Sequence, residues 1–235
     1  MNTFVRVVFK HAPEVEKADT SLRYTDILFG FVIKELFVRL QDWVQLDYAV
    51  RLHLIVGTTL VLGSWIGFRR SLNRARYQVK FFNLPLFRFI LDQLMLILYF
   101  AVAVLTPTPV SGKALPSSAE LAYSTITLVL WIYVLYVFWD LLGMWMDKSR
   151  IAVTGDGTQP RYPEVDKENK MTVRAKTVDW TGFLITMVST IVMLALWSAR
   201  FCFSPNTLFI LTIVLLLVYR WAKEMRTSWK SLPQA

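Results

Sequence analysis

The sequence predicts an all-α, polytopic integral membrane protein with six transmembrane helices and both termini in the cytoplasm. Three observations predict it. Apolar residues make up 55% of the chain and charged residues only 18%, well off the balance of a soluble domain. Besides a first, charge-bearing segment, five runs are long enough to cross about 30 Å of hydrocarbon at about 1.5 Å per residue. With the amino terminus inside, twenty Lys and Arg fall in inner segments and only two, Lys113 and Arg200, fall outside. That asymmetry is the positive-inside pattern.

Residues 1–22 form a cytoplasmic amino-terminal segment. Its Arg6, Lys10, Glu14, Glu16, Lys17 and Asp19 interrupt any continuous apolar run, so it does not read as a secretory signal. The membrane domain covers 23–222. Its first span, Ile27–Leu40, carries Lys34, Glu35 and Arg39 in its interior. Three charges at a helix centre cost on the order of 9 kcal/mol, against roughly 5 kcal/mol returned by about ten apolar residues. Such a helix does not choose lipid alone; it needs other helices, another copy of itself, or water. The next spans run Ala49–Phe68, Phe81–Leu105, Leu121–Met146, Trp180–Ala199 and Thr207–Ala222, the last two nearly free of charge. Thr106–Glu120, with Pro107, Pro109 and Pro116, is a stiff outer connection. The inner loop 147–179 is the one sizeable polar segment, with a turn at Thr154-Gly155-Asp156-Gly157 between extended pieces at Arg150–Val153 and Thr172–Val178. Residues 223–235 form a cytoplasmic tail.

The net charge of +9 follows from the same juxtamembrane cations, whose expected partner is anionic lipid headgroups rather than nucleic acid. Cys202 is the single cysteine, and His11 and His53 are the only histidines. No Cys- or His-based metal site is expected, no HExxH motif occurs, and no cofactor is called for. His53 and Ser64 share one helix about 16 Å apart along its axis, so a Ser–His catalytic pair is not expected there, and the chain does not read as an enzyme. His53, within the first turns of its helix, is expected at the interface and in water. Most tryptophans mark interfacial belts.

On a helical projection of the first span, Asp26, Lys34 and Gln41 share one polar stripe. Glu35, Arg39 and Asp42 form a second, and Phe29, Val32, Ile33, Leu36 and Leu40 fill an apolar arc. Glu35 and Arg39 are four apart, as are Arg88 and Asp92 in the third span, and both pairs are spaced to bond along their helices. Ionisable residues inside a membrane point to a substrate or ion path, or to buried pairs between helices. One neighbouring helix does not cover two polar stripes, so self-association is expected.

Tyr24-Thr25-Asp26 followed by Ile27-Leu28-Phe29-Gly30-Phe31-Val32-Ile33, then Trp65 ahead of Arg69-Arg70, then Asn83-Leu84, make residues 22–105 resemble the small six-helix potassium-channel family with lysosomal and bacterial members. That family carries an Arg-x-x-x-Phe-Ser-Asp signature on its first helix. Here Tyr stands for Phe, Thr for Ser, and Arg23 directly precedes Tyr24. Lys34 and Glu35 occupy positions where the family presents apolar residues to its pore. The resemblance implies a homotetramer with the first helices around a cation pathway, for which the candidates are Tyr24, Thr25, Asp26, Gly30, Ile33, Lys34, Phe37 and Gln41. The expected function is therefore a homo-oligomeric ion channel or channel-like pore in a bacterial inner membrane. The alternatives are a non-conducting scaffold or anchor subunit that binds a cytosolic or membrane partner, and a small secondary transporter. The transporter is disfavoured because no span is broken at mid-membrane by Gly or Pro, Pro85 lying near an end.

Overall fold

The computed structural model describes residues 25–41, 43–74, 84–106, 116–153, 164–165, 171–172 and 180–229. Six helices carry these residues: α1 (25–40), α2 (Tyr48–Arg74), α3 (Leu84–Val104), α4 (Ser118–Val153), α5 (Trp180–Ser198) and α6 (Pro205–Trp229). A single 3-10 turn, Arg200–Cys202, joins α5 to α6. A two-residue antiparallel pairing, Glu164 with Thr172 and Val165 with Met171, lies between α4 and α5.

The helix starts follow local chemistry. Ser117 and Glu120 form a capping box ahead of α4: the Ser117 backbone N–H donates to Glu120 Oε2 at 3.0 Å, and the Glu120 backbone N–H donates to Ser117 Oγ at 3.2 Å. Before α6, Ser204 Oγ accepts from the Thr207 backbone N–H at 3.2 Å, with Pro205 in the first helical position, where no N–H is needed. Pro85 sits in the first turn of α3 for the same reason.

Among the described residues, four helices are long and apolar enough to cross a membrane: Tyr48–Arg69, Leu86–Val104, Ser118–Trp145 and Trp180–Ser198. Their outer faces are apolar. Phe87, Ile90, Leu94, Ile97 and Phe100 of α3 are all exposed at helical spacing, as are Trp180, Leu184, Val188 and Ile191 of α5. Water does not tolerate that much continuous apolar surface; lipid does. The core between the helices holds Leu54, Val56 and Val61 of α2, Val102 of α3, Ile132 of α4, Met193 of α5 and Phe209 of α6.

Successive helices alternate in direction, as cross-helix contacts record. At one end the start of α1 meets the end of α2 through Asp26 and Arg69, Gly67 of α2 lies against Arg220 near the end of α6, and Arg88 near the start of α3 approaches Gly143 of α4. At the other end Arg39 meets Thr106, and His53 meets Val102 and Thr125. The start of α1 and the close of α6 therefore share one end of the bundle.

Two expectations change. Arg150–Val153 is not extended: α4 continues through Val153, seven residues past the expected end of its span. Of the expected extended piece Thr172–Val178, Thr172 pairs as a strand residue and 173–178 lie outside the described residues. His53 is not in water but fully buried.

Candidate functional site

α1 divides into two opposite faces. Thr25, Phe29, Val32, Leu36 and Arg39 are buried, whereas Ile27, Gly30, Phe31, Lys34, Phe37 and Gln41 are exposed. At about 100° per residue each set spans roughly 120° or less, and the two are centred half a turn apart. The buried face meets α2 and α3. Phe29 lies against Phe68 and Tyr99, with ring centroids 6.0 and 5.9 Å away, and Leu36 approaches Gly57, where an added Cβ would stand 3.1 Å from Leu36 Cδ2 and 3.6 Å from Val102 Cγ1.

The expected pathway residues do not all share a face. Gly30, Lys34, Phe37 and Gln41 point outward, Thr25 is buried, and Ile33 is half-buried against the core; Tyr24 lies outside the described residues. Asp26, expected on one stripe with Lys34, turns instead to α2. Its Oδ1 accepts from Trp65 Nε1 and from Arg69 Nε, both at 3.0 Å, and its Oδ2 stands 2.7 Å from Arg69 Nη2. These bonds tie the start of α1 to the end of α2.

Glu35 and Arg39 bond along α1 at 2.7 Å. Arg39 Nη1 also donates to the Glu35 carbonyl at 2.9 Å, and its Nε donates to the Thr106 carbonyl at 2.7 Å. Thr106 lies two residues past the end of α3, where its carbonyl has no intrahelical donor. The guanidinium thus serves a carboxylate on its own helix and a carbonyl just beyond α3. In α3 the Arg88 guanidinium lies 4.0 Å from the Trp139 ring centroid, and the same indole donates to Asp92 Oδ1 at 2.8 Å. Asp140 of α4 takes a bond from Thr186 of α5 at 2.5 Å and an ion pair from Lys223 of α6 at 2.8 Å.

A second polar cluster gave no sequence signal. Tyr133 and Tyr136 of α4 and Tyr219 of α6 pack ring against ring, with Tyr136 and Tyr219 stacked at 5.9 Å, and Tyr99 of α3 joins them through its hydroxyl. Ser64 donates to the Leu60 carbonyl at 2.6 Å, so its oxygen is free to accept from Tyr136, which lies against it. Tyr136 in turn accepts from Tyr99 at 2.8 Å. The hydroxyls run in one direction, from α3 through α4 to α2, a series in which each bond polarises the next. Tyr133 Oη is buried with no partner among the described residues. His53 donates from Nε2 to the Val102 carbonyl at 3.1 Å and meets Thr125 Oγ1 with Nδ1 at 2.8 Å. It fastens α2 to α3 and α4. Only the tyrosines' uneven spacing across three helices marks this cluster in the sequence, and that spacing has no period.

The bundle interior is thus packed and internally bonded, whereas α1 presents a charged outward face. Comparisons with protein-family models, with curated proteins and with solved structures found no match to this chain.

Proposed function

We propose that this chain is the subunit of a homo-oligomeric ion channel or channel-like pore, with α1 toward the shared axis. In this reading all six helices span the membrane and both termini are cytoplasmic. A tetramer in a bacterial inner membrane is the leading arrangement, on the resemblance of residues 22–105 to the small potassium-channel family. The observation that carries the proposal is Lys34, exposed at the middle of the outward face of α1. Among the described residues no carboxylate lies within ion-pair distance of it. Roughly 15 Å of hydrocarbon lies to either side of a bilayer midplane, more than a lysine stem spans by snorkelling. A hydrated axis shared by several copies supplies the water that lipid does not.

One further feature supports self-association of this face. Gly30 lies on the exposed face, and a Cβ there would meet nothing within 4 Å. Glycine costs about 1 kcal/mol relative to Ala within a helix, and no contact inside the protomer requires it; close approach of another backbone does.

The test is cross-linking followed by flux. In a Cys202→Ser background, Phe37→Cys is expected to form disulfide-linked oligomers in membranes, whereas Ile97→Cys on the outer face of α3 is not. Reconstituted liposomes of the native chain are expected to conduct ions. Efficient cross-linking through Ile97→Cys in place of Phe37→Cys would remove α1 from the axis. Cross-linked oligomers without flux would favour the non-conducting scaffold.

A further inference from the structure

We infer that the pathway along α1 admits small inorganic anions and excludes monovalent cations, with Lys34 as the residue that sets the sign. The inference rests on the axial placement of α1 proposed above and runs against the cation pathway that the family resemblance implies.

The face that α1 turns outward carries Ile27, Gly30, Phe31, Lys34, Phe37 and Gln41. Lys34 is its one charge. Two carboxylates on the same helix stand close enough in sequence to neutralise it, and both are committed elsewhere. Asp26 is held by Trp65 and Arg69 of α2. Glu35 is held by Arg39, whose own guanidinium is buried and bonded to Thr106. The three acidic and basic neighbours Asp26, Glu35 and Arg39 therefore leave the outward face, and among the described residues each copy contributes one uncompensated positive charge at the same depth.

Repeated around an axis, these ammonium groups form a ring flanked by apolar Phe31 and Phe37. Rings of Lys or Arg select anions as rings of Asp or Glu select cations. A narrow cleft of one sign with low-dielectric walls raises the local concentration of the opposite ion by about tenfold or more. The neutral Gln41 and the small Gly30 offer no opposing field.

The experiment is the reversal potential of the full chain reconstituted in planar bilayers under a potassium chloride gradient. The variants are Lys34→Arg, Lys34→Gln and Lys34→Glu, each checked for oligomer formation through Phe37→Cys in the Cys202→Ser background. The native chain is expected to prefer chloride over potassium by about tenfold or more. Lys34→Arg keeps that preference, Lys34→Gln abolishes most of it, and Lys34→Glu reverses its sign. If Lys34→Glu fails to assemble, the Arg and Gln variants carry the comparison. A native chain that conducts but prefers potassium overturns this inference and leaves the pore standing. Chloride preference that survives Lys34→Gln unchanged overturns the role of Lys34. Intact cross-linked oligomers with no current overturn the pore itself.

Discussion

Tyr133 and Tyr136 stand three apart on α4 with opposite fortunes. The Tyr136 hydroxyl bonds to both Tyr99 and Ser64, whereas the Tyr133 hydroxyl is buried with no partner among the described residues. A buried hydroxyl without a bond carries a desolvation cost of about 1–3 kcal/mol, and each satisfied bond returns about 0.5–1.5 kcal/mol. Tyr133→Phe is therefore expected to leave the detergent-solubilised protein equally stable or more so. Tyr136→Phe is expected to lower stability by about 1–3 kcal/mol, and thermal unfolding of the two variants side by side checks both signs. The Glu35–Arg39 pair supplies a second expectation. Arg39→Met strips Glu35 of its partner and the Thr106 carbonyl of its donor. Breaking a buried pair costs about 3–5 kcal/mol. The lower end applies here because the Glu35 side chain is 28% exposed. Glu35→Gln with Arg39→Met should recover part of the loss, as a double-mutant cycle would measure. This pair was legible in the sequence, because a spacing of four on one helix states its own geometry. The partners of Asp26 were not, since Trp65 and Arg69 reach it across a helix boundary that no spacing encodes. The burial of His53 was hidden likewise: a position near a helix start says nothing about which neighbours cover it.

α1 is the element on which function is proposed to turn, and it offers a separable test. Because a side chain at Gly30 meets open space within the protomer, Gly30→Leu is expected to leave the protomer's thermal stability unchanged or raise it by up to about 1 kcal/mol, as the helix penalty of glycine is relieved. It is expected at the same time to weaken self-association, read as a shift from oligomer to protomer by native mass spectrometry. Loss of protomer stability instead would mean that the face packs internally. The apolar arc Phe29, Val32, Ile33, Leu36 and Leu40 was readable from helical period alone, and all five residues lie in or against the core. The polar side follows the period only in part: the projection groups Asp26 with Lys34, but its bonds to Trp65 and Arg69 of α2 draw it inward. A projection records angle but not cover, and in a membrane the outward face is as apolar as the inward one. Ile27, Phe31 and Phe37 are 58%, 57% and 62% exposed, so hydrophobicity does not distinguish lipid or a partner from the core. The end of α4 was missed for a different reason: beyond the hydrocarbon-length run, polarity no longer reports whether the helix continues.

At the scale of the whole molecule, the alternation of helix direction makes orientation accessible to one reagent. Cys202 is the only cysteine in the chain, is exposed, and sits in the turn between α5 and α6, at the end of the bundle opposite Arg69 and Arg220. With the basic end inside, a membrane-impermeant maleimide added to intact cells is expected to label it, and Cys202→Ser should abolish the signal. Labelling only after permeabilisation would invert the protein. The bond from Arg39 to the Thr106 carbonyl has a consequence for biogenesis as well. α1 precedes α3 in the chain, and the carbonyl that accepts from its Arg39 lies 67 residues downstream. At about 5–20 residues per second, the ribosome needs several seconds to make that acceptor. On the proposed placement of α1 in the membrane, Glu35 and Arg39 need water or the insertion machinery throughout that interval. α1 is thus made well before its arginine can be seated, and in a nascent chain arrested before Thr106, Phe37→Cys should still react with a water-soluble maleimide.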